Sequence, residues 1–164
     1  MRAVVLADTH MPRRARSLPP LLLAELETAD VVFHLGDFTE EDLVRSLREF
    51  APLYAVHGNQ DSPEVQALFP STHRLTLEGN LVVALIHGDV GGRTAVHAAH
   101  SLLREQPDVA LVLFGHSHRA YLEWDNGTLL FNPGSPTDRR RAPSKTFGIL
   151  EVGESLSASI VEIP

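Results

Sequence analysis

The chain contains no cysteine. Disulfides, thiolate metal sites and cysteine nucleophiles are therefore excluded, and a reducing cytosol is unopposed. It also lacks any apolar run approaching the roughly 20 residues that span a bilayer. The opening stretch from Met1 to Ala7 reaches the charged Asp8 too soon for a signal-peptide core. Positive charge is scarce as well: 14 lysines and arginines against 21 acids leave a net charge of −7. No general affinity for nucleic acid is expected, so a phosphate-bearing substrate must be attracted by a local positive site. These absences lead to the expectation of a cytoplasmic protein with no membrane partner. The oligomeric state, including a homo-oligomer, stays open.

What the chain has in abundance is histidine, nine in 164 residues. Its length and its 43% apolar content suit one domain, residues 1–164, around one core. Arg2 to Ala7 is a short apolar run rich in β-branched residues, which predicts a buried strand. Leu18 to Ala29 is expected to be helical, with Pro19 and Pro20 in its first turn. Val31 to Leu35 predicts a second strand. Thr39, followed by Glu40, Glu41 and Asp42, predicts an N-cap and a helix running to about Phe50. Leu53 to His57 completes a strand–helix alternation that implies a parallel sheet with crossover helices.

Beyond it, a short helix is expected from Ser62 to Leu68, then a hairpin of Arg74–Leu77 with Leu81–Ile86. A helix over Thr94–Arg104 and a buried strand over Val109–Phe114 follow. The rest reads as strand: Tyr121–Trp124, Thr128–Asn132, Thr146–Val152 and Ser157–Ile163, with Asn126-Gly127 as a hairpin turn. The expected class is α/β, one domain containing two packed sheets.

The informative feature is how the strands end. Five apolar strands run directly into metal-capable side chains, at Asp8-Thr9-His10, Gly36-Asp37, Gly58-Asn59-Gln60-Asp61, His87-Gly88-Asp89 and Gly115-His116-Ser117-His118. Parallel strands deliver their C-terminal ends to one rim. That would gather Asp8, His10, Asp37, Asn59, His87, His116 and His118 into one pocket. Imidazoles with carboxylates and an amide oxygen suit a divalent transition ion. Seven ligands exceed one open catalytic site but fit two ions sharing a carboxylate. A buried polar network could also use such residues, though not at five successive strand ends.

The order DxH, GD, GNxD, HG, GHxH, from Asp8 to His118, resembles the signature of calcineurin-like metallophosphoesterases. Asn132-Pro133-Gly134-Ser135 looks like their small prokaryotic phosphodiesterase branch. The resemblance implies a four-layer αββα fold, a two-sheet sandwich flanked by helices. It implies a first metal held by Asp8, His10, Asp37 and His118. A second would be held by Asp37, Asn59, His87 and His116, with Asp37 as the bridge. Two divalent transition-metal ions are implied, Mn²⁺ foremost, with Fe, Zn or Ni as alternatives.

The implied activity is hydrolysis of small phosphoester substrates, phosphodiesters first, by in-line attack of a metal-bridging hydroxide. Asp37, Asn59 and His116 would be catalytic. The alternatives are a phosphomonoesterase or nucleotide pyrophosphatase on the same metals, and a non-catalytic metal-binding protein-interaction scaffold of the same fold. One position departs from the pattern: Gln60 stands where the superfamily often has a histidine that protonates the leaving group, and a carboxamide has no useful acidity. Asp61 is expected to orient its neighbours.

Two arginine groups, Arg13, Arg14 and Arg16 and then Arg139, Arg140 and Arg141, flank the motifs. Arg13 and Arg14 are expected to bind substrate phosphate, against the plainer reading of a solvated loop. His34 is expected to be a packed strand histidine, His57 to lie off the pocket with a place at its rim as the lesser alternative, His97 and His100 to lie on a solvated helix face, and His73 at the surface. Asn132 to Ser135 reads as a turn without chemistry.

Overall fold

In the computed structural model, which describes residues 1–164, β1 (Arg2–Leu6) divides its apolar run by parity. Ala3 and Val5 point to one core, Val4 and Leu6 to another. This is the two-residue period of a strand buried on both faces. β5 (Leu81–Ile86) divides likewise: Val83 and Leu85 join the core that Ala3 and Val5 enter, while Ala84 and Ile86 enter a third. Two continuous apolar strands thus make three cores and four layers.

The first sheet has the order β10-β9-β1-β2-β3 and the second β4-β5-β6-β8-β7. Here β2 is Val31–Leu35, β3 Leu53–Val56, β4 Thr72–Leu77 and β6 Leu111–Leu113. β7 is Tyr121–Asp125, β8 Thr128–Asn132, β9 Lys145–Val152 and β10 Leu156–Ile163. β1, β2 and β3 are mutually parallel, as are β5, β6 and β8, and the flanking strands pair antiparallel. Phe33, Leu35, Leu111, Leu113 and Phe131 fill the space between the sheets. Helices α1 (Pro20–Leu26), α2 (Glu41–Phe50) and α3 (Pro63–Leu68) cover the outer face of the first sheet. α4 (Ala95–Glu105) covers that of the second through Ala95, Ala98, Ala99 and Leu102. The expected two-sheet αββα arrangement is the observed one.

Two expectations are corrected. The first helix is shorter than Leu18–Ala29, starting at Pro20 and ending at Leu26. Thr39 does not cap α2: Glu40 holds that place without a side-chain cap bond. Thr39 instead adopts φ 86°, its backbone N–H donates to Asp61 Oδ1 at 2.8 Å, and it pairs with Met11. The site claims its backbone before the helix can.

Candidate metal centre

The rim is built from both sheets. β1, β2 and β3 bring Asp8 and His10, Asp37, and Asn59; β5 and β6 bring His87, and His116 and His118. Past its end, β1 stays zipped to the next loop, with Asp8 N donating to Gly36 O and His10 N to Asp37 O, both at 3.0 Å. The second sheet is stitched similarly, Gly115 N donating to His87 O at 2.9 Å. The sheets approach so closely here that side chains cannot fit. A Cβ on Gly36 would stand 2.7 Å from both Gly58 N and His87 Nδ1, and one on Gly115 would stand 2.9 Å from Ala7 Cβ.

The strand ends carry unusual backbone. Asp8, His10, Asp37, His116 and His118 all have positive φ, between 46° and 69°. Non-glycine residues avoid that region at a cost of about 1–3 kcal/mol each, and such strain concentrates where function requires it.

All seven predicted side chains join one network. His10 Nε2 lies 3.2 Å from His118 Nε2 and 3.6 Å from Asp37 Oδ2. His87 Nε2 lies 3.3 Å from Asp37 Oδ2, 3.2 Å from Asn59 Oδ1, and 3.2 Å from His116 Nδ1. Asp8 Oδ1 stands between the halves, 3.8 Å from His118 Nε2 and 3.9 Å from His87 Nε2. Two triads have the proximity a cation needs: Asp8, His10 and His118, and Asp8, Asp37 and His87. Asp8, His10, Asp37, His87 and His118 are buried, whereas His116 is half-buried and Asn59 and Gln60 are exposed, so the site opens on that side.

The surroundings fix which atoms face inward. His87 Nδ1 donates to the Leu35 carbonyl at 2.7 Å, and His118 Nδ1 donates to the Asp138 carbonyl. A carbonyl only accepts, so Nδ1 of each ring carries a proton and Nε2 is the atom that faces the site, the usual outer support of a metal-binding imidazole. Asp37 Oδ1 accepts the Gln60 N–H at 2.8 Å, so Oδ2 alone faces His10 and His87. Asp61 accepts from Gly58 N, Asp37 N and Thr39 N at 2.7, 2.9 and 2.8 Å, orienting its neighbours as expected.

The electrostatics ask for positive charge. Burial pushes the Asp8 carboxyl up to about 7, and both its oxygens are buried without a hydrogen-bond partner. Burial lowers His118 to about 4 and also lowers His10 and His116. His87 goes the other way, to about 9: burial opposes its charge but is outweighed by the bond to Asp37 and the charges of Asp8 and Asp37. The orphaned Asp8 oxygens beside inward imidazole nitrogens, with His87 held charged only by the neighbouring carboxylates, are the donor set a divalent ion satisfies, so the residues fit one.

The remaining histidines lie outside this network. His34 stacks on Phe38 and bonds Thr9 Oγ1 at 3.0 Å, a packed strand histidine as expected. His57 touches the Gly58 carbonyl, at 3.4 Å. His100 pairs with Asp125 and His97 with the Thr94 cap. His73 is not simply at the surface but half-buried against Tyr54. Arg13 is exposed, and Arg14 pairs with Asp138, Nε to Oδ2 at 3.3 Å. A cavity of about 690 Å³, lined by Met11, Leu18, Leu43 and Phe50 among others, lies on the helix side and includes none of the seven.

Sequence reasoning missed the brace behind the site. Asn132, fully buried, donates to Gly115 O at 2.9 Å and accepts from Gly134 N. Ser135 donates to Asp8 O at 2.8 Å, and Thr137 donates to Thr9 O at 2.6 Å. The segment read as a plain turn therefore ties the Asp8 loop to the His116 loop. Its only sequence signal is polar residues beside a strand end.

The profile of the calcineurin-like phosphoesterase superfamily domain matches residues 1–155. The chain is 32% identical over 159 residues to a probable metallophosphoesterase of Methanocaldococcus jannaschii, covering 97% of this chain and 80% of the relative. The fold matches vacuolar protein sorting 29 from Cryptosporidium parvum with a TM-score of 0.79 at 21% identity, covering 99% of this chain and 97% of that one. It matches a structure described as a novel archaeal phosphodiesterase with a TM-score of 0.74 at 18% identity, over 98% and 100% of the two chains.

Proposed function

The chain belongs to the calcineurin-like phosphoesterase superfamily, and from that premise we propose that it hydrolyses phosphodiesters with two divalent metal ions. Asp8, His10, Asp37 and His118 would hold one ion, and Asp37, Asn59, His87 and His116 the other. Asp37 would belong to both sets, offering Oδ2, the one oxygen that its Gln60 bond leaves inward. The observation that carries this reading is the convergence of seven donor side chains from five strand ends, their inward atoms 3.2–3.9 Å apart. Two ions so held supply Lewis acidity to phosphoryl oxygens and make water nucleophilic near neutral pH.

The chain's own residues set the rest. The Leu35 and Asp138 carbonyls hold His87 and His118 in ligating orientation. Asp37, Asn59 and His116 line the reacting side, and exposure of Asn59 beside half-buried His116 leaves the substrate face open. Water adds to phosphorus in line, the bond to the leaving alkoxide breaks, and the alkoxide must gain a proton. Gln60 cannot provide it. Burial raises the Asp61 carboxyl, but it is buried and both its oxygens are taken up by three backbone N–H groups, so it is turned away from a substrate. The favoured substrates are therefore diesters whose leaving groups need no acid. Mn²⁺ is the expected ion, because imidazole nitrogens suit it better than Mg²⁺, which prefers an all-oxygen octahedron.

The scaffold reading, with protein partners instead of a substrate, draws only on the fold shared with vacuolar protein sorting 29. A filled donor set at every strand end favours the enzyme. The deciding experiment assays phosphomonoesters, phosphodiesters and nucleotide pyrophosphates with Mn²⁺, Mg²⁺, Zn²⁺ and Ni²⁺. The expected result is turnover of aryl phosphodiesters, greatest with Mn²⁺. Turnover of none, by protein that has taken up metal, contradicts catalysis, and preference for monoesters or pyrophosphates contradicts the diester assignment.

A further inference from the structure

Of the six arginines in the two groups flanking the motifs, the fold separates two from the rest. Arg139 Nη1 is bonded to the Ala142 carbonyl, and Arg16 lines the helix-side cavity. Arg14 and Arg140, 126 positions apart in the sequence, meet at one carboxylate. Asp138 Oδ2 lies 3.3 Å from Arg14 Nε and 3.8 Å from Arg140 Nε. The Asp138 side chain is only 14% exposed, while those of Arg14 and Arg140 are 63% and 48% exposed. This half-buried carboxylate, whose Oδ2 has no hydrogen-bond partner, thus ion-pairs with the inner nitrogens of two outward guanidinium groups. Each keeps Nη1 and Nη2, the pair of parallel donors that matches phosphate oxygens.

The tether sits at the metal-site wall. Asp138 accepts the His118 Nδ1 proton on its backbone carbonyl, and its Oδ2 lies 4.0 Å from the same nitrogen. Arg140 holds φ 45°, a strained value for a non-glycine residue. Through Asp138, whose carbonyl orients His118, Arg140 stands at the His118 side of the site. In a chain of net charge −7, this is the local attractor that an anionic substrate needs.

We propose that Arg14 and Arg140, yoked by Asp138, form a phosphate clamp beside the His10–His118 half of the site, gripping substrate phosphoryl oxygens. This rests on the phosphoesterase reading for its place in catalysis, but makes its own claim about anion binding. Asp138 is a positioning residue, and Arg14 and Arg140 are binding residues.

The experiment titrates inorganic phosphate into the full-length protein by calorimetry, once loaded with Mn²⁺ and once after chelation. The wild type is compared with Arg14→Ala, Arg140→Ala, Asp138→Asn and Arg104→Ala, the last on α4 and outside the clamp. The expected result is phosphate affinity lower by about tenfold for each clamp arginine, equivalent to about 1.4 kcal/mol. The loss should appear in the loaded and the chelated protein alike, with Arg104→Ala unchanged. Asp138→Asn should weaken phosphate binding while metal content is kept, and should raise KM for an aryl diester by a larger factor than it lowers kcat. Lysine at position 14 or 140 should restore part of the affinity, since charge returns without the fork.

Arg14→Ala and Arg140→Ala proteins that melt like the wild type and bind phosphate as tightly would overturn the clamp. If the wild type hydrolyses diesters in that case, the catalytic reading stands without it. If phosphate binding needs both arginines but no ester is turned over, the clamp stands and the catalytic reading falls.

Discussion

His10 and His118 face each other nitrogen to nitrogen, Nε2 to Nε2 at 3.2 Å, with rings stacked 5.0 Å between centroids. Burial keeps both uncharged at neutral pH, His118 most strongly, its value lowered to about 4. His118 Nδ1–H donates a hydrogen bond to the Asp138 carbonyl, so in the neutral ring Nε2 carries the lone pair. A bound cation relieves this confrontation and satisfies Asp8, whose two oxygens are otherwise orphaned.

Metal should therefore stabilise the fold substantially. At an ion concentration 100 times Kd the gain is about 2.7 kcal/mol per site. For a chain of this size each kcal/mol moves Tm by about 2–4 °C. Thermal melting after chelation should fall by several degrees and recover with Mn²⁺. A Tm indifferent to both treatments contradicts a metal at this wall.

The brace behind the site should matter to metal affinity as well as stability. Ser135→Ala removes the hydroxyl that donates to the Asp8 carbonyl and accepts from Thr137 N and Asp138 N. Leaving such buried groups unpaired costs about 1–3 kcal/mol. Disturbing the outer support of a ligand typically costs about 10–100-fold in metal affinity. Melting and metal titration of this variant check both. Loss of stability with metal affinity intact would reduce the segment to a fold element.

Asp61→Asn tests the other support. One of its carboxylate oxygens accepts from Asp37 N and Gly58 N, the other from Thr39 N. An amide nitrogen can replace neither oxygen as an acceptor, so one orientation breaks the Thr39 contact and the other breaks those of Asp37 and Gly58. The variant should bind metal more weakly in spite of its nearly identical shape. Unchanged metal binding would mean the neighbouring chain holds Asp37 without it.

Much of this site was legible because metal chemistry restricts residue type. Aspartate and histidine directly after an apolar strand, five times over, have few other uses. The two sheets were legible from strand spacing and the burial of β1 from its apolar run, whereas the division of β1 and β5 between separate cores emerged only from the fold. Contacts between distant backbones were not. Thr39 carries the ordinary signature of a helix cap, but Asp61 takes its N–H and the backbone turns left-handed there. Asn132 to Ser135 read as a turn because its partners, the carbonyls of Asp8 and Gly115, carry no side-chain signal. Arg13 and Arg14 looked equivalent by position. Only the fold brings Asp138 to Arg14.

That difference separates the two arginines. Arg14→Ala should raise KM for an aryl diester more than Arg13→Ala, because only Arg14 is held in place by a half-buried carboxylate. Equal effects would place both in a diffuse positive loop.

The position of Gln60 predicts a substrate bias. Gln60 is exposed at the rim and holds Asp37 Oδ1 through its backbone, so its side chain can be exchanged without disturbing that bond. A positioned general acid contributes about 10²–10⁴-fold where a poor leaving group must be protonated. Gln60→His should raise kcat/KM for alkyl diesters far more than for aryl ones. An alkyl-to-aryl ratio equal to that of the wild type, at full metal content, would mean that another group supplies the proton or that none is needed.

A pair of ions sharing Asp37 fixes the metal stoichiometry of the chain. Protein reconstituted with excess Mn²⁺, freed of unbound ion and measured by elemental analysis, should carry two ions per chain. Both carboxylates stand between the halves, but Asp37→Ala should lose more metal than Asp8→Ala, because Asp37 Oδ2 lies nearer its imidazoles, at 3.6 and 3.3 Å, than Asp8 Oδ1, at 3.8 and 3.9 Å. One ion or none per wild-type chain would contradict the dinuclear site.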